Sequence, residues 1–441
     1  MLAERINAER LNNRRETLCS HNHHEHILCS QCDMLVAVPE LAQGTKATCP
    51  RCHTLLTAKW RYPYKQPVAY AFSALVMLVI ACLYSFVSMG AAGIENSISL
   101  FRIMEIIFAT KYSGLALFFL FFVLIIPAFC MIIIMLLGLK VKISKPIKVY
   151  FCRILFQMKS WCMAEIFLAG VLVSFVKLMA YGDIGLGLSF APYCLFCLLQ
   201  VKAFQCLDRH WLWGQIEAAP VVSRRLIAGK TGISQGVRLC RVCTAILPAE
   251  QGECPRCYSY GHVRRNNSLQ WTVALLVTSI VLYIPANILP VMTTETLGSQ
   301  LDSTIMDGVI LLWGDGSYPV ALVIFIASIM VPTLKMIAIA WLCLDSQGYG
   351  NRDPSRMHFI YELVEYVGRW SMIDVFVIAI LSSLVQMGQL MSITPAPGVI
   401  LFGMVVILTM LSAIAYDPRL TWDRCNRKHS DKVVEQEGAV G

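Results

Sequence analysis

Cys240-Arg-Val-Cys243 and Cys254-Pro-Arg-Cys257, followed almost at once by the apolar run from Leu269 to Ile288, decide the fold. Near its start the chain does the same: Cys29-Ser-Gln-Cys32, Cys49-Pro-Arg-Cys52, then an apolar run from Pro67 to Met89. Two Cys-x-x-Cys pairs place four thiolates tetrahedrally around one ion, and about 20 apolar residues cross a bilayer as a helix. The plan is a four-cysteine ribbon leading into a helical membrane bundle, used twice.

Composition agrees. The chain has 441 residues, 57% of them hydrophobic, only 15% charged, and a mean hydropathy of +0.61, where a soluble chain carries about a quarter charged residues. The fold class expected is an α-helical polytopic membrane protein. Eight membrane helices are expected at 67–89, 115–139, 162–180, 188–206, 269–291, 318–343, 370–388 and 397–415. They form two tandem four-helix repeats of one orientation, 67–206 and 269–415, each preceded by a small zinc-ribbon-like domain. The remaining segments are a polar basic lead (1–26), the first ribbon (27–58), a linker (207–268) holding the second ribbon (240–257), and a tail (416–441).

The charge pattern sets the expected orientation. Segment 139–160 carries Lys140, Lys142, Lys145, Lys148, Arg153 and Lys159, and segment 207–268 carries nine basic residues. The loops near 181–187, 292–317 and 389–397 hold no Lys or Arg. Positive loops stay inside, so both termini and both ribbons are expected in the cytosol. There thiols stay reduced and available to metal. The basic stretches 140–159 and 352–369 alternate with apolar residues and read as contacts to anionic headgroups, not to nucleic acid. Ser97–Phe108 and Ser303–Trp313, on the other side, mix apolar and polar residues and read as interfacial or re-entrant segments.

The repeat shows in the residues themselves. Trp161-Cys-Met-Ala-Glu165-Ile-Phe167 aligns with Trp370-Ser-Met-Ile-Asp374-Val-Phe376 at an offset of 209, and so do Asp208 with Asp417 and Trp213 with Trp422. Earlier in each half an offset of 205 matches Pro127 to Pro332 and Met131 to Met336. Duplicated halves and prolines that interrupt helices at matching positions are features of transporters. An ordinary proline kink is the plainer alternative.

Two sets of residues carry chemistry. The ligand set Cys29, Cys32, Cys49, Cys52, Cys240, Cys243, Cys254 and Cys257 suits two structural zinc ions; iron is the second choice, because a Cys-Pro-x-Cys half resembles a rubredoxin knuckle. The other set lies inside the membrane helices, where an ionisable residue costs roughly 2.5–3.5 kcal/mol at the bilayer centre and needs a partner or a task. Its members are Lys335, Glu165, Asp374 and Lys177, with Ser328 and Thr333 flanking Pro332. Lys335 is expected to pair with Asp374 or Glu165, forming an asymmetric polar site between the halves. The alternative is that the acids anchor helix entries beside Trp161 and Trp370, and that Lys177 reaches out to water.

The sequence resembles the paraquat-inducible protein A family of Gram-negative inner-membrane proteins. The resemblance rests on Cys29-Ser-Gln-Cys32-Asp-Met-Leu, Cys49-Pro-Arg-Cys52, Met163-Ala-Glu165 through Lys177, Pro285-Ala-Asn-Ile-Leu-Pro290, Val331-Pro-Thr-Leu-Lys335-Met and Gly368-Arg-Trp-Ser-Met-Ile-Asp374. It implies an inner-membrane location and a periplasmic MCE-domain partner of the paraquat-inducible protein B type. It also implies that the pair moves phospholipids across the envelope. No nucleotide-binding loop is recognised: Gly229-Lys230-Thr231 has Arg224 where the first glycine of a phosphate loop belongs. No credible nucleophile–base pair stands out either, so an enzyme is not expected. The competing expectation is a membrane-embedded redox or metal sensor, since zinc-bound thiolates can be oxidised.

Overall fold

The computed structural model describes residues 25–91, 94–109, 113–139, 142–178, 183–222, 225–296, 299–314, 316, 318–348, 353–385 and 391–425. The chain divides into two compact units, Met1–Pro63 with Asp208–Arg264, and Tyr64–Leu207 with Arg265–Gly441.

In the first unit both ribbons are built from short antiparallel hairpins. Glu25–Leu28 pairs with Leu35–Val38, Lys46–Thr48 with Leu55–Ala58, and Val237–Leu239 with Ile246–Pro248. Strands this short bury little, and the ribbons compensate by packing on each other. Leu28, Leu35 and Leu239 form one small core. Leu35 N–H donates to Lys230 O (2.9 Å), Gly232 N–H to Asp33 O (2.8 Å), and Arg264 to the buried Asp33 carboxylate at 2.8 Å. Asp208 caps helix Arg209–Ile216 by accepting from His210 N–H (2.9 Å) and also accepts from Thr57 Oγ1 (2.5 Å) and Ala58 N–H (3.0 Å). The two ribbons, read from sequence as separate, fold as a single body.

The second unit has, among the described residues, seven helices long and apolar enough to cross a membrane. They are Lys65–Leu83, Gly114–Gly138, Lys145–Phe175, Ser268–Ile288, Ala321–Gln347, Pro354–Leu384 and Pro397–Ala415. The apolar helix Phe190–Cys206 adds 17 residues, about 25 Å at 1.5 Å per residue. Two of these runs correct the expected boundaries. The basic stretches before Trp161 and Trp370 are helices, Lys145–Met158 and Pro354–Gly368, each passing through a 3₁₀ turn into the apolar helix behind it. Their apolar residues recur at helical spacing and are buried: Val149, Cys152 and Leu155 in one, Met357, Tyr361, Val364 and Gly368 in the other.

The expected interruptions at Pro127 and Pro332 are widened turns. A π-helical turn, Leu120–Ile125 or Ile326–Met330, precedes each proline, and the helix continues through it. Proline lacks the N–H that an α-turn needs; the five-residue hydrogen bonds Ile126 N–H to Phe121 O and Val331 N–H to Ile326 O re-space the ladder ahead of it.

The loops opposite the basic helices are more structured than the sequence suggested. In each half a hairpin from the first loop takes a third antiparallel strand from the last. Val87–Ala91 lies between Ile94–Ile98 and Asp183–Leu186, and Met292–Thr296 between Ser299–Ser303 and Met391–Pro395. The segments read as interfacial or re-entrant become the helices Leu100–Ala109 and Ile305–Gly314. Ten residues span about 15 Å, too short to cross.

The halves meet through Ala164–Leu178 and Ile373–Leu384, which are repeat mates. Every residue of the latter is buried. Phe167 and Phe376, 209 apart in sequence, stack edge to face with centroids 5.9 Å apart. These repeat mates touch directly, so the ring pair lies where the two halves meet. Gly170 permits the approach: a Cβ there would stand 3.2 Å from the Phe376 Cβ.

Candidate functional site

In each ribbon the four sulfurs lie within 4.8 Å of one another and all four cysteines are buried. Cys29–Cys52 and Cys243–Cys254 are 3.4 Å apart, Cys32–Cys49 and Cys240–Cys257 3.5 Å. Tetrahedral zinc with Zn–S near 2.3 Å would space its sulfurs by about 3.8 Å, so a small expansion admits one ion.

All four knuckles share one backbone design. The residue after the second cysteine has a left-handed conformation: Asp33 (φ 60°), His53 (59°), Thr244 (58°) and Tyr258 (55°). Each donates its N–H to the carbonyl of the first cysteine, at 2.8–3.1 Å. None is glycine, and that region costs a non-glycine residue about 1–2 kcal/mol, so something the loop closes on must offset the strain. Crowding of the thiols points the same way. Hydrogen bonds from Cys29 and then Cys32 hold Cys49 down to about 6, while Cys29, Cys49 and Cys52 push Cys32 far up. Four thiolates therefore need a cation among them. Hydroxyls of Thr54 and Ser259 lie 3.2 Å from Cys52 and 2.9 Å from Cys257, in the positions of outer-shell donors. An all-sulfur, buried, closed donor set fits one thiophilic ion per ribbon.

The second site is a cleft of about 210 Å³ in the membrane unit. Lys335, 4% exposed, stands at its floor. The expected pairing with Asp374 or Glu165 is not what holds it. Lys335 Nζ donates to Thr409 Oγ1 (3.0 Å) and Gly368 O (3.4 Å). The reason is the missing side chain at 368: a Cβ there would stand 2.8 Å from Nζ and 2.9 Å from Cε, so the lysine stem occupies that space. Glu165 instead lies 4.0 Å from Arg369, both partly exposed. Asp374 is buried in the first turn of Ile373–Leu384. Thr333 donates to Ile329 O (2.7 Å) and meets the Tyr283 hydroxyl (3.2 Å). Ser328 is buried in the π-turn, its hydroxyl without a hydrogen-bond partner among the described residues. Neither lines the cleft. The side chain of Lys177 lies outside the described residues.

Sequence reasoning missed most of the lining. Lys159 and Gly368 are repeat mates, as are Ser160 and Arg369, and all four line the cleft. Its wall is therefore built from matching positions of both halves. Its depth belongs to the second half, through Lys335, Glu365, Met410 and Ala413. The mates of Lys335, Ser371 and Thr409 are Cys130, Cys162 and Gln200; the two thiols lie buried 3.8 Å apart. Opposite the small Gly368 and Ala413 stand Lys159 and Phe204, with the ammonium 5.5 Å above the ring. The available signal was adjacency to the repeated tryptophan, where Lys159 and Arg369 sit within two residues of Trp161 and Trp370.

A chain built this way, with duplicated apolar helices and buried charge at the seam between them, is a polytopic membrane protein. Comparison with known proteins then places it: the chain belongs to the family described as Paraquat-inducible protein A, which it matches over residues 64–217 and 269–426. It is 62% identical over 408 residues to the Intermembrane transport protein PqiA of Escherichia coli (strain K12), covering 92% of this chain and 98% of that one. It is 29% identical over 412 residues to a Probable intermembrane transport protein of Haemophilus influenzae, covering 91% and 96%. It is likewise 29% identical over 399 residues to the Lipophilic envelope-spanning tunnel protein A of Escherichia coli (strain K12), covering 90% of each. No solved structure matches the chain.

Proposed function

We propose that this chain is the inner-membrane subunit of an intermembrane lipid transport system. It loads or unloads phospholipid for a periplasmic MCE-domain partner of the paraquat-inducible protein B type, without ATP. The names of its relatives support transport between membranes. The observation that carries the reading is Lys335: a buried cation whose hydrogen-bond partners are neutral, opening on a cleft walled by both halves. A buried ammonium without a carboxylate has charge left to offer an anion, and a phospholipid phosphate is the anion a membrane supplies. In this reading the ribbons are cytosolic, each holds a structural zinc, and Lys145–Met158 and Pro354–Gly368 rest on anionic headgroups. Asp374 and Glu165 serve the same seam.

The reading as a metal or redox sensor is less well supported. Each of the eight ribbon cysteines is at most 7% exposed, and a sensing thiolate needs access. Lys335→Ala is expected to abolish complementation in an envelope-stress assay while leaving the protein level intact. Near-normal growth would remove Lys335 from the mechanism.

A further inference from the structure

We infer that the cleft reads the headgroup, selecting phospholipids whose phosphate is followed by a primary amine. The inference rests on the cleft being a phospholipid site, and concerns which lipid enters it.

The lining has three cations, Lys335, Lys159 and Arg369, and one acid, Glu365. Lys335 is buried at the floor, whereas Lys159 and Glu365 are exposed. Glu365 lies one helical turn before Arg369, on the same face, yet the carboxylate nearest that guanidinium is Glu165, at 4.0 Å. Glu365 lines the cleft and makes no hydrogen bond or ion pair within 4 Å with any described residue, the Arg369 charge acting on it only at longer range. A site for phosphate alone gains nothing from a carboxylate on its wall, because the two negative groups repel. A headgroup that carries phosphate and ammonium together satisfies both signs, the phosphate on Lys335, Lys159 and Arg369 and the amine on Glu365. A quaternary amine would call for aromatic rings, and the cleft has none in its lining. Its 210 Å³ is below the roughly 300–1,000 Å³ that encloses a drug-sized ligand. It holds a headgroup, with the acyl chains left to lie over Met410 and Ile414.

The test uses the full chain in nanodiscs of equal parts phosphatidylethanolamine and phosphatidylglycerol, with retained lipids counted by native mass spectrometry. The wild type is expected to retain phosphatidylethanolamine in preference. Glu365→Gln lowers that preference by about two- to fivefold, the range for a partly solvated ion pair. Glu362→Gln, on the same helix but outside the cleft lining, leaves it unchanged. Lys335→Ala lowers total retained lipid whatever the headgroup. If Lys335→Ala does so and Glu365→Gln leaves the ratio unmoved, headgroup selection by Glu365 is overturned and the lipid site stands. If Lys335→Ala changes nothing, the lipid site falls and the inference with it. Displacement of all retained lipid by excess inorganic phosphate would show a free-anion site instead, and would overturn it too.

Discussion

Gly368→Ala separates the fold of the membrane unit from its site. The new Cβ would stand 2.8 Å from Lys335 Nζ, and ordinary contact begins at 3.4 Å, so the ammonium must retreat by about 0.6 Å. Its bond to Gly368 O is already 3.4 Å long, and the retreat removes it. Losing a hydrogen bond to a charged group costs about 1.5–3 kcal/mol. Replacing a helical glycine by alanine returns up to about 1 kcal/mol, and the lysine end is flexible and has the cleft to move into. The net loss of stability is about 1 kcal/mol, a fall of about 1–2 °C in thermal midpoint for a unit of this size. The effect on binding is larger, because the ammonium moves into the space the headgroup takes. A shift of about 1.4 kcal/mol there is tenfold in affinity, and retained phospholipid is expected to drop by about that factor. Gly403→Ala is the control, its Cβ meeting only Val375 Cγ2 at 3.7 Å. Thermal unfolding and phosphorus analysis of the purified protein read both quantities. A Gly368→Ala protein that unfolds as expected and still retains wild-type phospholipid would refute the role given to Lys335.

Cys254→Ser is expected to lower protein abundance and reduce metal from two ions per chain to one, read by elemental analysis; normal abundance with two ions would contradict the structural account. Acidification should release metal. Each ligand must be deprotonated to bind, so protons compete with the metal for the thiolates, and chelator-detected release should rise as pH falls. Asp33→Ala removes the carboxylate that Arg264 (2.8 Å) and Ile233 N–H (3.2 Å) share. Breaking a buried pair costs about 3–5 kcal/mol, so proteolysis is expected to cut the ribbon unit while sparing the membrane helices.

What could be read in the chain before its structure was known follows from how local each signal is. The ribbons are legible because their ligands sit in Cys-x-x-Cys pairs, and the spans because 20 apolar residues in a row have one common use. The small sheets were missed because strands such as Met292–Thr296 are five residues long and pair with Met391–Pro395, about a hundred residues away. The threonine run 293–294 and the loop lengths were the only hints. The basic stretches hid their helicity because charge dominated a reading that should have weighed Met357, Tyr361 and Val364 at helical spacing. Lys335 stood out in the sequence since intramembrane charge is rare, but its hydrogen-bond partners did not. Thr409 is 74 residues away, and the decisive feature at Gly368 is an absent side chain. The expected ion pair was the right chemistry for an isolated lysine in a membrane, overridden by packing.

Duplication alone would have produced two equivalent clefts, and the substitutions at matching positions run against that outcome. Where the second half carries Lys335, Thr409, Gly368 and Ala413, the first carries Cys130, Gln200, Lys159 and Phe204. The changes act together: the cation is removed from one floor, and both small residues that make room are replaced by large ones. Lys159 is the informative case. It is the mate of Gly368, and it lines the cleft that holds Lys335, so the first half contributes a cation to that wall. The matching positions therefore differ most at the seam, where the lysine lies in the second half alone. Lys159→Gly is the change expected to remove the first half's charge from that cleft. Retained phospholipid should fall through the loss of charge, without loss of the folded membrane unit.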